Sequence, residues 1–300
     1  MSVAMRMPAV LHSPRTLEME AHAERPRRRS AWHRLGWTGA AALAFLVMLS
    51  VVAIIGPSLW KWGALEQHME ALLQDPSVSH PLGTDEFGRD IMARILMGAR
   101  WSLAGAAVIC AGTSVLGFLI AALAVSGDRR VDAVVGRIIE AMMALPGLVT
   151  ALAFASILGA SFVNLLFALI ITSWPWYART YRALLLKERA AQYVESAIAS
   201  GAGRWRVLFR HVLPNIIGPA AVLATANFGA VILNLAGLSF LGLGMQPPTP
   251  EWGEMINEGK RYFEDYPWQM IAPGLCIACT VLAINLLGDG LRDVADPRTR

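Results

Sequence analysis

The side chains best suited to chemistry lie in one short polar stretch that carries an imidazole and three carboxylates, namely His80, Asp85, Glu86 and Asp90. Brought close together by folding, such groups can hold a metal ion. The same groups also build turns and cap helix N-termini. Because an apolar helical pattern begins directly after this stretch, we favour turn and cap chemistry and predict no metal site.

Two further patterns bear on catalysis. Cys276-x-x-Cys279 has a spacing found in redox and metal sites, but it lies inside an apolar run, so we interpret both thiols as packing groups. None of the lysines, Lys61, Lys187 and Lys260, lies in a G-x-x-x-x-G-K-[ST] loop. We therefore predict no catalytic residues and no cofactor bound by this chain.

Composition limits the kind of protein that carries these residues. The chain has 300 residues, of which 55% are hydrophobic and only 16% are Asp, Glu, Lys or Arg, whereas about 25% are charged in a typical soluble domain. This disfavours a disordered chain, a coiled coil and a nucleic-acid-binding protein, despite the net charge of +4. Five runs of 23 to 40 residues carry no charge at all.

These charge-free runs predict an all-α, polytopic membrane protein. A helix needs about 20 apolar residues to cross a bilayer, and the runs do not alternate as the strands of a β-barrel would. The run of 38 residues holds most of two spans, and the run of 40 holds one span and a Gly/Pro-rich exit. We predict six membrane-spanning helices, near residues 36–59, 102–125, 134–158, 163–183, 217–240 and 268–289.

Basic residues predict the orientation of these spans. With the N-terminus inside, 20 of the 26 Lys and Arg residues fall on inner segments and 6 on outer ones, so both termini are predicted to be cytoplasmic. The chain is predicted to begin with a cytoplasmic tail (1–34), a first span (35–60) and an outer segment with an amphipathic helix (61–100). A core of five spans (101–290), with a long inner loop at 184–215, and a second cytoplasmic tail (291–300) are predicted to follow.

Two segments between the spans have helical periodicity. In the outer one, Ile91 and Ile95 share one helical face and the charged residues lie off it, which predicts a short helix at the membrane interface. In the inner one, Gly201 and Gly203 interrupt the pattern and Pro214 closes it, which predicts a helix, a turn and a second helix. A plain loop does not need about 30 residues with this periodicity, whereas a docking element does.

The inner segment resembles the EAA loop of ABC importer permeases, which reads E-A-A-x-x-x-G. Glu195-Ser196-Ala197 precedes Gly201 at that spacing, with Ser196 for the usual Ala, and His211-Val212-Leu213-Pro214 follows at the family's distance. Other blocks resemble, in order, the branch that imports dipeptides, oligopeptides and nickel. They are His80–Asp85 with Gly88–Asp90, Leu238–Gly244, Pro247–Pro250, Gly288–Asp293 and Asp296–Arg298.

The resemblance implies a type I ABC importer permease (MetI-like) architecture in a bacterial inner membrane. It implies a second homologous permease, two cytoplasmic ATPase subunits that bind ATP and Mg, and an extracytoplasmic solute-binding protein. The implied cargo is a dipeptide, an oligopeptide or a related solute such as a nickel chelate. The residues implied in ATPase coupling are Glu195, Ser196, Ala197, Gly201, Arg204, His211, Leu213 and Pro214.

Polar and aromatic residues within the predicted spans mark a candidate translocation path at the midplane. Each polar member is equally suited to hydrogen bonds between helices. Small residues at Gly105, Gly112 and Gly117 predict close helix contacts. The candidate path residues are Ser173, Trp174, Trp176, Asn227, Asn234 and Asn285.

Two other classes compete with an importer subunit. A self-sufficient secondary transporter predicts an internal repeat and charges inside several spans. The sequence shows no clear repeat, and only Arg137 and Glu140 approach a span, where we favour a local ion pair. A membrane-embedded enzyme requires a motif such as H-E-x-x-H or G-x-S-x-G, and neither is present.

Overall fold

Long helices dominate the computed structural model, which describes residues 31–295, and no β-strand occurs within that range. A π-helical turn, Val207–Val212, follows the short helix Arg204–Arg206, and a 3-10 turn, Lys260–Tyr262, follows the helix Trp252–Gly259. The predicted tail at 1–34 lies mostly outside the described residues, as does the Asp296–Arg298 motif. The helices are α1 (Ala31–Leu59), α2 (Ile91–Ser126), α3 (Arg129–Met143), α4 (Gly147–Leu158), α5 (Phe162–Arg189), α6 (Gln192–Ala199), α7 (Arg204–Arg206), α8 (Leu213–Phe240), α9 (Trp252–Gly259) and α10 (Trp268–Ala295).

Fewer helices meet the requirements of a membrane span than the six predicted. Within residues 31–295, four are long and apolar enough: Gly36–Leu59, Ile91–Ser126, Val207–Phe240 and Trp268–Val294. A fifth span is reached only if α3 and α4 count as one broken span. The span predicted at 163–183 falls in α5, which has 28 residues but a stretch of Ser, Trp, Pro and Tyr in its middle that lowers its apolar character.

The span predicted at 134–158 is bent by 86° between α3 and α4. Proline has no N–H for the helical ladder and disfavours helical geometry in the residue before it, so Pro146 accounts for the break. Moreover, α3 is amphipathic rather than apolar all round, because Val135 and Ile139 are buried while Arg129 and Arg137 are exposed. A helix of this kind suits a membrane surface rather than its interior.

The outer helix predicted around Ile91 is not a separate element. It forms the first turns of α2, which continues for 36 residues. Asp90 caps this helix by accepting a hydrogen bond from the Ala93 amide at 2.7 Å, so the predicted cap chemistry is confirmed. Arg94 is buried rather than interfacial, since oppositely charged side chains surround it as described below.

Close packing of α2 against α5 forms the centre of the bundle. A Cβ atom added at Gly117 would lie 2.6 Å from Cβ of Tyr177, and one at Gly112 would lie 2.8 Å from Cδ1 of Ile170. Real Cβ atoms do not approach so closely. Gly117 is required for the contact because it also meets the backbone N of Ala178 at 2.9 Å, whereas at Gly112 the end of the Ile170 side chain would have to move. The predicted close helix contacts at the small residues of α2 are therefore confirmed.

Candidate coupling segment and translocation cavity

A cavity of about 290 Å³ opens between the α3–α4 bend, α5 and α8. Four of the predicted path residues line it: Ser173, Trp176, Asn227 and Asn234. The rest of its wall consists of uncharged side chains and Gly147. The other lining residues are Met142, Met143, Leu145, Gly147, Leu148, Ala151, Leu169, Thr172 and Pro175.

The remaining two predicted path residues lie elsewhere. Trp174 is 7% exposed and packs against Val135, Ile139 and Ala178, so it belongs to the packing between α3 and α5. Asn285 lies on α10 beside Gly229 of α8, where a Cβ added to the glycine would be 3.1 Å from Asn285 Oδ1. Trp174 stands in the sequence between Ser173 and Pro175, which both line the cavity. Consecutive side chains of a helix point in different directions, so the Trp174 side chain lies on another face of α5.

The predicted coupling loop folds as a helix, a turn and a second helix at the end of α5. It comprises α6, the turn, α7, the π-helical turn and the first residues of α8, and is called the EAA segment (residues 192–214) below. Gly201 makes the turn with a backbone φ of +84°, a conformation that glycine adopts without steric cost. Val194 is fully buried, whereas Glu195 is exposed. The acidic residue therefore faces away from the bundle.

The other predicted coupling residues spread along the EAA segment. Ser196 is exposed and donates to the carbonyl of Gln192 at 2.9 Å. Pro214 is exposed, whereas Ala197, His211 and Leu213 are half-buried. The side chain of Arg204 lies outside the described part of the structure.

Tyr193 connects the EAA segment to the helices on both sides, and no sequence pattern singles it out. Its hydroxyl donates to Glu188 Oε2 at 2.7 Å, at the end of α5, and accepts from Asn215 Nδ2 at 2.8 Å, at the start of α8. Partial burial and the neighbouring Glu188 carboxylate raise the pKa of Tyr193. Of the residues in this hydrogen-bonded group, the sequence motif points only to Asn215, which directly follows the Leu-Pro pair.

An apolar pocket of about 130 Å³ lies between the EAA segment and the ends of α2 and α5. Arg189 stands at its edge and donates to the carbonyl of Val125, which joins the ends of α5 and α2. The pocket residues are Val125, Ser126, Leu185, Arg189, Ile198, Ala202, Val207, Leu208 and Val212.

A buried network of charges lies at the opposite end of α2. Asp85 bonds to Arg89 at 2.6 Å and approaches Arg94 at 3.4 Å, and Glu258 of α9 contacts both arginines. These four residues are called the ion cluster below. Buried charges are tolerated only when they are paired, so α9 and the start of α2 are held together. The helical periodicity of the sequence does not indicate these ion pairs, because Glu258 is far from both arginines along the chain.

Groups next to the ion cluster complete this end of the molecule. The Asp90 carboxylate accepts from Trp60 Nε1 at 3.0 Å and lies 2.8 Å from His80 Nδ1. Burial, together with the neighbouring Glu258 charge, raises the pKa of Glu254 to about 7. Burial also raises the pKa of Glu86.

The predicted ion pair between Arg137 and Glu140 is absent from the described structure, where both side chains are exposed. Asp132 of α3 instead accepts two hydrogen bonds of 2.7 Å from Arg182 of α5. The ion pair of α3 is therefore made by Asp132 with a residue of another helix, and the spacing of charges along a single helix does not indicate such a pair.

Apolar helices long enough to cross a membrane, packed around an uncharged cavity and beside an exposed helix–turn–helix, are those of a multi-pass membrane protein. The family model described as "Binding-protein-dependent transport system inner membrane component" matches residues 113–300. The chain therefore belongs to this family, as a permease of the dipeptide/oligopeptide branch of ABC importers.

Several relatives are similar to this chain over most of their length. The chain is 37% identical to the dipeptide transport system permease protein DppC of Alkalihalophilus pseudofirmus, over 91% of this chain and 90% of the relative. It is 39% identical to the di/tripeptide transport system permease protein DppC of Pseudomonas aeruginosa, over 89% and 90%. It is also 39% identical to the glutathione transport system permease protein GsiD of Pectobacterium atrosepticum, over 91% of each chain.

Proposed function

We propose that this protein is one of two permease subunits of an ATP-driven bacterial importer for short peptides. The cargo assignment is supported by the three relatives, whose names refer to dipeptides, di- and tripeptides, and glutathione. None of these three is named for nickel, so a short peptide is preferred to a nickel chelate. An extracytoplasmic binding protein delivers the peptide, and two ATPase subunits bind ATP and Mg on the cytoplasmic side.

The observation that carries this proposal is the exposed EAA segment, anchored to membrane helices. Its buried residue Val194 packs in a cluster with Tyr181 and Leu185 of α5 and with Ala121 of α2. A force applied to the segment is therefore transmitted to helices that pass close to the cavity. The exposed Glu195 is available to an ATPase subunit, and Gly201 permits the sharp turn between the two short helices.

In the proposed mechanism, ATP-driven closure of the ATPase subunits moves the EAA segment as a rigid body. Rigid-body rotation of packed elements is a common route of conformational switching. The movement opens the path alternately to each side of the membrane. Both termini are cytoplasmic in this arrangement, since the basic residues of the EAA segment then lie on the same side.

The proposal is tested in the assembled importer with Glu195→Lys. We expect loss of peptide transport and of substrate-stimulated ATP hydrolysis, because the contact with the ATPase subunit is reversed in charge. Glu264→Lys is the matched control, since Glu264 is also exposed but lies outside the EAA segment. If Glu195→Lys leaves both activities normal, the coupling role is wrong. If the purified chain transports peptide without ATPase subunits, the importer assignment is wrong.

A further inference from the structure

The hydroxyl of Tyr177 lies at the junction of three helices. The side chain belongs to α5 and is fully buried. Its Oη lies 3.6 Å from Cys110 Sγ of α2 and accepts a hydrogen bond from Asn227 Nδ2 of α8 at 3.0 Å. Tyr177 itself is not among the cavity-lining residues, whereas Asn227 is. The hydroxyl of the tyrosine thus reaches the cavity wall through this amide, whereas its ring packs edge-on against Trp176, another wall residue, at 5.2 Å between ring centroids.

The hydrogen bond leaves one polar atom of Asn227 available. Among the described residues, the bond to Tyr177 is the only hydrogen bond of the Asn227 side chain. A primary amide has two N–H donors and one carbonyl acceptor. With Nδ2 bonded to the tyrosine, the acceptor Oδ1 has no donor among the residues that the structure describes, and Asn227 belongs to the cavity wall.

We propose that Tyr177 is a positioning residue, which holds the Asn227 amide so that its carbonyl accepts an N–H group of the peptide in transit. The inference deepens the proposed function and rests on it. A peptide offers amide and ammonium N–H donors, and the cavity wall holds no charged side chain to bind them. A neutral acceptor binds weakly enough to release the peptide, whereas a carboxylate would hold an ammonium group more tightly.

Tyr181 supplies a matched control within the same helix. It is 1% exposed, lies four residues after Tyr177, and its Oη lies 2.5 Å from Ser114 Oγ of α2. Its hydroxyl thus also joins α5 to α2, but neither Tyr181 nor Ser114 lines the cavity. A merely structural role predicts equal effects of removing either hydroxyl, whereas a positioning role predicts an effect at Tyr177 alone.

The experiment uses the complete importer in liposomes, with its binding protein and a radiolabelled dipeptide. The readout is the number of peptides imported per ATP hydrolysed, because a peptide poorly held in the cavity is lost during an otherwise complete ATPase cycle. We expect Tyr177→Phe and Asn227→Leu each to lower this ratio on the order of fivefold, as expected from the loss of one hydrogen bond. Tyr181→Phe leaves the ratio within about twofold of wild type, since that hydroxyl contacts no cavity residue.

The double variant Tyr177→Phe/Asn227→Leu separates positioning from an independent effect. If Tyr177 acts through Asn227, the double variant imports as many peptides per ATP as Asn227→Leu alone. Additive losses, or equal losses in the Tyr177 and Tyr181 variants, overturn the inference. If the complex with Tyr177→Phe does not assemble, the complex with Asn227→Leu decides. An unchanged number of peptides imported per ATP in that variant overturns the inference. Failure of the proposed function is distinct, since the wild-type complex would then import no peptide.

Discussion

The ion cluster gives the most direct test of the forces that hold the fold together. Glu258 contacts the guanidinium groups of Arg89 and Arg94, whose side chains are 1% and 2% exposed. Glu258→Ala leaves both positive charges buried with Asp85 as their shared partner. Removing one member of a buried ion pair costs about 3–5 kcal/mol, because the remaining charge is uncompensated.

The structure favours the lower end of that range. Asp85 remains 2.6 Å from Arg89 and 3.4 Å from Arg94, and the Glu258 side chain is 13% exposed, which admits some water to the vacated site. We therefore expect a loss of about 3 kcal/mol. For a chain of 300 residues, that lowers the unfolding midpoint by roughly 5 °C.

The assay is thermal unfolding of the purified protein in detergent, with Glu264→Ala as the control for loss of an exposed carboxylate. A second variant, Glu258→Met with Arg94→Met, replaces charges by apolar groups of similar length. It is expected to regain at least half of the lost stability, since well-packed apolar replacements of buried ion pairs are often neutral. The reasoning is refuted if Glu258→Ala lowers the midpoint no more than the control does.

Three other predictions follow from the described contacts. Because the pKa of Glu254 is raised to about 7 from an ordinary 4.5, the folded state keeps its proton to higher pH than the unfolded state does. Stability should fall between pH 4.5 and 7, and Glu254→Gln should flatten that part of a midpoint–pH curve. Tyr193→Phe removes two hydrogen bonds of the EAA segment, so amide hydrogen exchange across 192–201 should rise severalfold, and unchanged exchange would contradict the anchoring role. Gly117→Val would force α2 from α5 because its Cβ lies 2.6 Å from that of Tyr177; it should lower the unfolding midpoint, unlike Gly136→Ala, which meets nothing within 4 Å.

Local signals in the sequence were sufficient for many individual features. The Asp90 cap, the Gly201 turn and the close contact at Gly117 each depend on residues that are neighbours in the chain or on the size of one side chain. Hydrogen bonds to the nearest amides and a positive φ are short-range effects. The motif blocks also identified the family, which the match over residues 113–300 confirmed.

Six spans were predicted from hydrophobicity, whereas four described helices, or five with the bent pair of α3 and α4, meet the length and hydropathy requirements of a span. A charge-free run does not reveal a bend. Pro146 turns α4 by 86° from α3, and the polar middle of α5 lines the cavity instead of facing lipid alone. Charge-free length therefore indicates membrane insertion but not the number of straight helices. The predicted orientation of the termini and the roles of Glu195 and Gly201 remain predictions.

The sequence by itself determined the class of this protein, its helical membrane-embedded character and the position of its EAA segment, since these depend on apolar length and local motifs. Only the tertiary structure decided that Glu258 neutralises Arg94 and that Asp132 pairs with Arg182. It also decided that Tyr177 reaches the cavity through Asn227, while Trp174 turns away from it. Electrostatic and hydrogen-bond partners depend on distance in space, and packing of the helices brings together residues that are far apart in the chain.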